Sequence, residues 1–264
     1  MVVNNGYLKF SVITVCYNSE KTIQKTLQSI KDQTYKNIEY IIIDGGSTDR
    51  TLEIINQYSD IVDILVSEPD NGIYDAMNKG IKLAVGDYIG FLNSDDYYAK
   101  DIFEKYNMAL KSSNGDYIYS DAFFLKDDKK EYVKAESEIA EKVYQYMPMS
   151  HMSLFVKSYF VKNIKFDTSF KIAADLDFFN KLREQTSNNV FIHDSFSYFS
   201  MGGISNIADI ETLWESKKVA IKHKKNILFA NLFYFKKIFR IFIYNNFGNS
   251  RVYKILKVCI KKRC

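Results

Sequence analysis

At 264 residues the chain can bury one full core, and 47% hydrophobic with 26% charged residues is the balance of a globular protein. Three scattered cysteines exclude a disulfide scaffold, and no run of 18 uncharged apolar residues suits a membrane span. The net charge of +4 is unevenly spread: residues 217–264 hold 14 of the 36 Lys and Arg and no acid, leaving 22 basic against 32 acidic residues in 1–216. An acidic body with a basic tail implies that the two meet different partners. The N-terminus carries no basic region, apolar stretch and cleavage site of a secretory signal, so a cytoplasmic protein, held peripherally on the membrane face, is expected.

The pattern along the chain is that of a wound α/β protein. Phe10–Cys16 is an apolar, β-branched run that reads as a buried strand, and Tyr17-Asn18-Ser19-Glu20 as a turn. Ile23, Leu27 and Ile30 then recur at the helical period. Tyr40–Ile43 predicts a second buried strand, ending in Asp44-Gly45-Gly46-Ser47, and Leu52, Ile55 and Tyr58 a second helix. Ile61–Val66 predicts a third strand, Ile73–Leu83 a third helix and Tyr88–Leu92 a fourth strand that runs into Asn93-Ser94-Asp95-Asp96. This alternation argues for a mostly parallel sheet flanked by helices. Beyond it, a helix is expected around Ile102–Leu110 and strands at Tyr117–Ser120, Ser153–Val156 and Val190–His193. The charged stretch 126–142 reads as a solvated turn and an exposed helix, Asp175–Leu182 as helical and Met201–Ser205 as a flexible loop.

Several chemistries lose their signatures. There is no G-x-G-x-x-G after the first strand, no phosphate-loop motif and no nucleophile elbow, and the three histidines lack zinc spacing. What remains is a series of polar strand ends at Tyr17-Asn18, Asp44, Asn71-Gly72 and Asp95-Asp96, which a wound sheet would bring to one edge. Adjacent carboxylates at such an edge suit a hydrated divalent cation bridging to phosphate oxygens, or a simple turn.

Taken together these segments resemble the family-2 inverting glycosyltransferases with the GT-A fold. The resemblance rests on Ser11–Asn18, Ile41–Asp49, Asp70–Gly80 and Gly86–Asp96, and covers roughly residues 9–205. It implies that Thr14, Tyr17, Asn18 and Asp44 hold the base and ribose of a nucleotide-sugar donor, with Asn71 and Asn78 in a further donor segment. It implies Asp95 on the ribose or diphosphate side, Asp96 as ligand of a Mn²⁺ or Mg²⁺ ion, and His151 near the diphosphate. Asp175, in Ala174-Asp175-Leu176-Asp177, falls at the position of the general base, with Asp177 as the alternative. Gly202–Ser205 matches a loop near the donor. Gly45 stands where many relatives carry a second acid, and the Q-x-x-R-W segment of processive synthases is absent, which favours transfer of a single sugar. The resemblance thus implies inverting transfer of one hexosyl or N-acetylhexosaminyl unit to a hydroxyl of a glycan or lipid-linked saccharide. A nucleotidyltransferase and a non-catalytic glycan-binding scaffold are the rival readings.

Two units are expected, a GT-A domain over 1–208 and a basic, aromatic extension over 209–264. Within the extension Ile210–Ile221 predicts a helix. In Ile227–Tyr244 the three basic residues Lys236, Lys237 and Arg240 share one helical face amid aromatic and aliphatic residues. Such a helix either lies on an anionic membrane surface or packs its apolar arc on the domain. No nucleic-acid recognition module accompanies the charge.

Overall fold

A computed structural model describes residues 7–126, 129–137, 146–200 and 210–223, and single positions as far as Ile238. The elements in order are β1 (Phe10–Cys16), α1 (Ile23–Lys31), β2 (Ile38–Asp44), α2 (Thr51–Asn56), β3 (Ile64–Ser67), α3 (Ile73–Leu83), β4 (Tyr88–Phe91) and β5 (Tyr97–Tyr98). Then follow α4 (Ile102–Ser113), β6 (Tyr117–Lys126), β7 (Lys129–Val133), a 3₁₀ turn at His151–Ser153, β8 (Phe155–Lys157), α5 (Ser158–Ile164), α6 (Ala174–Gln185), β9 (Asn189–Ser200) and α7 (Ile210–Lys222).

The strands form one mixed sheet in the order β3-β2-β1-β4-β8-β6-β9-β5, with β7 added to β6. Strands β1 to β4 are parallel, as their apolar character requires, and β8 runs antiparallel between β4 and β6. All seven residues of β1 are buried, because helices cover both faces. On one face Met77 and Ile81 of α3, Val161 of α5 and Phe178 and Leu182 of α6 pack on Ile13, Ile41 and Ile89. On the other, Leu27 and Ile30 of α1, Ile55 of α2 and Phe103 and Tyr106 of α4 pack on Val12, Tyr40 and Ile42. Phe155 sits at the centre of that second layer, with centroid distances of 5.7, 6.2, 5.5 and 5.7 Å to the rings of Phe10, Tyr98, Phe103 and Tyr106.

The third strand begins three residues later than the apolar pattern suggests. Asp63 accepts the Tyr40 backbone N–H at 2.8 Å and donates its own N–H to the Tyr40 carbonyl at 3.0 Å, so regular pairing begins at Ile64. The exposed helix expected within 126–142 is corrected over its described part. Lys129–Val133 is a strand, paired antiparallel with β6 so that Tyr132 faces Phe123 across a ring-centroid distance of 5.7 Å. Its three charged residues obscured a cross-strand aromatic pair. The two-residue β5 and the seven-residue α5 are too short to register as periodic. The loop at Gly202–Ser205 lies outside the described residues, as does the 227–244 segment apart from Leu228, Asn231, Tyr234, Phe235 and Ile238, which are helical.

In the order β3-β2-β1-β4 the winding reverses beside β1. The crevice between the carboxyl ends of β1 and β4 is where open α/β sheets receive ligands.

Candidate active site

A cleft of about 740 Å³ opens at this place. Its rim comes from the ends of β1 and β4: Tyr17, Asn18 and Ser19 on one side, Asn93, Ser94 and Asp95 on the other. Two hydroxyls tie these loops together, Ser19 Oγ lying 2.9 Å from Ser94 Oγ. His151 and Asp175 line the cleft as well, His151 Nε2 lying 3.5 Å from Asn93 Nδ2, together with the apolar Phe91, Phe166 and Phe178.

The loop after β2 is built around Asp44. Its carboxylate is fully buried and accepts the backbone N–H of Gly46 at 3.1 Å and of Ser47 at 2.9 Å, together with the Ser67 and Ser47 hydroxyls. Burial raises this carboxyl, and the hydroxyls of Ser47 and Ser67 and the Ser47 N–H more than offset it, holding it below the usual carboxylate range. Gly46 turns with φ +82°, a backbone most side chains avoid. Asn18 joins this loop to β1, accepting the Thr48 N–H at 2.9 Å while its own N–H donates to Ser47 Oγ at 2.8 Å.

The neighbouring glycine has a different reason. A Cβ at Gly45 would lie 2.6 Å from Asp70 Oδ2 and 3.5 Å from the Tyr17 ring. The space that a second acid would occupy after β2 is therefore filled by a carboxylate from the β3–α3 loop, and Asp70 lines the cleft.

Of the residues singled out from the sequence, Tyr17, Asn18, Asp95, His151 and Asp175 meet around the cleft. Thr14, Asp44, Asn71, Asn78 and Asp96 are not among the side chains that line it. Thr14 is fully buried, with the Tyr40 hydroxyl 3.1 Å from its own. Asn78 braces the framework, donating to the Phe166 carbonyl and accepting the Phe166 N–H, both at 2.9 Å. Asn71 is exposed and its N–H donates to Asp75 at 3.0 Å. Asp96 is 3% exposed, and its carbonyl accepts the Thr26 hydroxyl of α1 at 2.7 Å. The turn that anchors Asp96 under α1 presents Asp95 to the cleft.

The two acids on α6 separate in the same way. Asp175, in the first turn, is half-buried and lines the cleft. Burial raises its carboxyl, against the pull of the His151 ring. Burial pushes the His151 imidazole down, against Asp175 and Asp95, so the ring favours its neutral form. Asp177 is fully buried and ringed by cations: Lys181 Nζ at 2.7 Å, Lys222 Nζ at 2.9 Å and His223 Nε2 at 2.9 Å. Burial raises Asp177, but bonds to His223, Lys181 and Lys222 hold it far below the usual range. It is a structural anion, which removes it as the alternative base.

Among the described residues no three His, Cys, Asp or Glu side chains converge as a preformed metal cage. The cleft nevertheless offers oxygen donors of the kind Mg²⁺ and Mn²⁺ take. Asp95 faces it with a carboxyl that burial raises above the usual range, a cost that a cation would offset. The side-chain oxygen of Asn93 is buried without a hydrogen-bond partner, and its Nδ2 lies 3.5 Å from His151 Nε2. One or two such ligands plus substrate phosphates are the usual complement for Mg²⁺.

A parallel half-sheet covered by helices on both faces, with a cleft where its winding reverses between β1 and β4, is the architecture of the GT-A fold. The model of the family described as "Glycosyl transferase family 2" matches residues 11–202, and the chain belongs to that family. An uncharacterised glycosyltransferase of Haemophilus influenzae is 29% identical over 248 residues, covering 90% of this chain and 96% of that protein. The Escherichia coli protein WfaP, described as a UDP-Glc:alpha-D-GlcNAc-diphosphoundecaprenol beta-1,3-glucosyltransferase, is 38% identical over 118 residues, which are 44% of this chain and 47% of WfaP. Among solved structures, residues 1–349 of Staphylococcus aureus TarS with UDP-GlcNAc match 93% of this chain and 74% of that one, with TM-score 0.64 and 20% identity. A mannosyltransferase of Pyrobaculum calidifontis, in complex with GDP-Man and Mn²⁺, matches 86% of this chain and 70% of its own, with TM-score 0.61 and 19% identity. At those identities the structures attest the fold alone.

The residues that spacing could not reveal are Asp70, which fills the gap at Gly45, and Glu215 of α7, whose carboxylate holds the backbone of residues 171–173 beside the cleft. Gly45 itself was the signal for the first. Nothing local marks the second.

Proposed function

We propose that the protein transfers a single sugar, with inversion, from a nucleotide-sugar to a hydroxyl of a glycan or lipid-linked saccharide. The observation that carries this reading is that Asp95 and Asp175 line one cleft at the carboxyl ends of β1 and β4, each acting on the His151 ring. The nucleoside lies along the β1 and β2 loops, against Tyr17 and Asn18, with Asp70 supplying the carboxylate that Gly45 cannot. The diphosphate lies towards Asn93, Asp95 and His151.

The acceptor oxygen attacks the anomeric carbon from the face opposite the diphosphate. The bond from that carbon to the phosphate oxygen breaks, the nucleoside diphosphate departs with the electron pair, and the hydroxyl proton passes to Asp175. A carboxyl raised by burial is a better matched base at neutral pH than an exposed one, and such a group is worth typically about 10²–10⁴ in rate. Asp95, with the Asn93 side-chain oxygen, would hold a divalent cation, which when bound neutralises charge growing on the diphosphate. This moves the sequence-based assignment from Asp96 to its neighbour. Neutral His151 can donate a hydrogen bond to a phosphate oxygen.

WfaP is described as acting on a GlcNAc diphosphate of undecaprenol, which favours a lipid-linked saccharide as the acceptor here. Among the described residues no helix is long and apolar enough to cross a membrane. Contact with an anionic membrane face through the basic extension brings such an acceptor to the cleft.

The test is release of free nucleoside diphosphate from a panel of UDP-, GDP- and dTDP-sugars, with and without Mn²⁺. One donor is expected to be turned over, and Asp175→Asn to lower turnover by about 10² or more while donor binding persists. Pyrophosphate release would instead indicate a nucleotidyltransferase, and a silent panel a binding protein.

A further inference from the structure

The backbone that leads into α6 is held by a residue beyond the family segment. Glu215 of α7 accepts three successive N–H groups with one carboxylate: Lys171 at 3.0 and 3.1 Å through its two oxygens, Ile172 at 2.7 Å and Ala173 at 3.0 Å. These are N–H groups at the mouth of a helix whose own cap position, Ala173, has no side chain able to accept them. A carboxylate there also meets the positive end of the helix dipole. The opposite edge of the same segment is fixed by Tyr74 of α3, whose hydroxyl donates to the Ile172 carbonyl at 2.6 Å. Burial raises the Glu215 carboxyl, but the three N–H groups outweigh it and keep the group below its ordinary value, ionised at neutral pH.

Lys171 and Ile172 line the cleft, and Asp175 follows two residues after the capped Ala173. The end of α7 is clamped as well, through Lys222 and His223 on Asp177 of α6 and His223 on Glu184. Val219 and Ala220 are fully buried between these two attachments, and Val219 belongs to the main core.

We infer that Glu215 is a positioning residue for glycosyl transfer: it caps α6 from another helix and so sets where Asp175 stands against the acceptor. This rests on the reading of Asp175 as the base. It makes α7 a working part of the catalytic unit, although the family segment ends at residue 202.

The experiment compares full-length wild type, Glu215→Gln, Glu215→Asp and Glu215→Ala, using whichever of UDP-glucose, UDP-N-acetylglucosamine or GDP-mannose the wild type hydrolyses. Each variant is measured for kcat, KM and thermal unfolding. Glu215→Gln and Glu215→Ala are expected to lose about tenfold to 10²-fold in kcat, the effect of a small misplacement of the base, while KM for the donor stays within about twofold. Glu215→Asp keeps the charge and should recover part of the loss. Tyr74→Phe, which releases the other edge of the segment, should add less than its own effect when combined with Glu215→Gln, because both act on one backbone. Unchanged kcat in folded Glu215→Gln and Glu215→Ala overturns the inference. So does a kcat that falls only in step with the fraction folded, or failure of both variants to fold, either of which makes Glu215 merely structural. A wild type that turns over no sugar nucleotide instead removes the reading on which the inference rests.

Discussion

At Gly45 one missing methyl group decides what the cleft contains. The carboxylate of Asp70 stands 2.6 Å from where a Cβ would be, and Tyr17 closes the other side. Asp70 is not free to swing away without cost, since its Oδ1 accepts the Gly72 N–H at 2.8 Å. Gly45→Ala is therefore expected to push Asp70 out of the nucleoside end and raise the donor KM several-fold, with kcat at saturation little changed. Steady-state kinetics with the panel's best donor checks it, and a loss of kcat at unchanged KM would contradict it. The same scale explains why two neighbouring acids fare differently. Asp95 and Asp96 are indistinguishable by type and spacing. A turn closed by the Asp96 N–H on the Asn93 carbonyl, and Thr26 on the Asp96 carbonyl, sends one to the cleft and one inward.

At the scale of elements, the strands that build the crevice were legible because each is a continuous apolar run ended by turn residues. Strand β7 was not, since Lys129, Lys130 and Glu131 are exposed and only the pairing with β6 makes it a strand. Asp177 illustrates a different gap. Lys181 is a local partner four residues on, but Lys222 and His223, which complete the neutralisation, lie 45 and 46 positions away and leave no local mark. That attachment has a pH dependence. His223 is buried against Asp177 and Glu184, with Lys222 and Lys181 on the same carboxylate. Burial lowers its pKa, but the two acids raise it further, to a net value above the ordinary 6.5. A raised histidine favours the folded state fully below its unfolded pKa, and that contribution is lost as pH rises through the folded value. The thermal midpoint should thus fall as pH rises above the ordinary histidine value of 6.5, and His223→Gln should flatten that slope. An identical slope in the variant would show that the dependence lies elsewhere.

Across the whole molecule, basic charge concentrates at the end of the chain, beside exposed apolar side chains. Trp214 is 50% exposed, Phe235 65% and Leu228 79%, and together with Tyr234 and Ile238 they border a cleft of about 510 Å³ beside Lys217. Nine of the 14 basic residues in 217–264 lie after residue 225. Near an anionic bilayer each contributes on the order of 1 kcal/mol, an attraction that salt screens. Deleting residues 226–264 should abolish sedimentation with phosphatidylserine vesicles while donor hydrolysis persists, because Glu215 is retained. Undiminished sedimentation would refute the membrane role of the extension.

The hold of Glu215 on three N–H groups also bears on the order in which the enzyme is made. Synthesis delivers the chain N-terminus first, and domains fold as units as they emerge. The sheet, the cleft and Asp175 are therefore all translated before the carboxylate that fixes residues 171–173. A nascent chain would pass through a stage at which it can hold a sugar nucleotide but presents its base poorly. Full turnover would then wait until α7 has closed on α6, a helix translated after every strand of the described sheet.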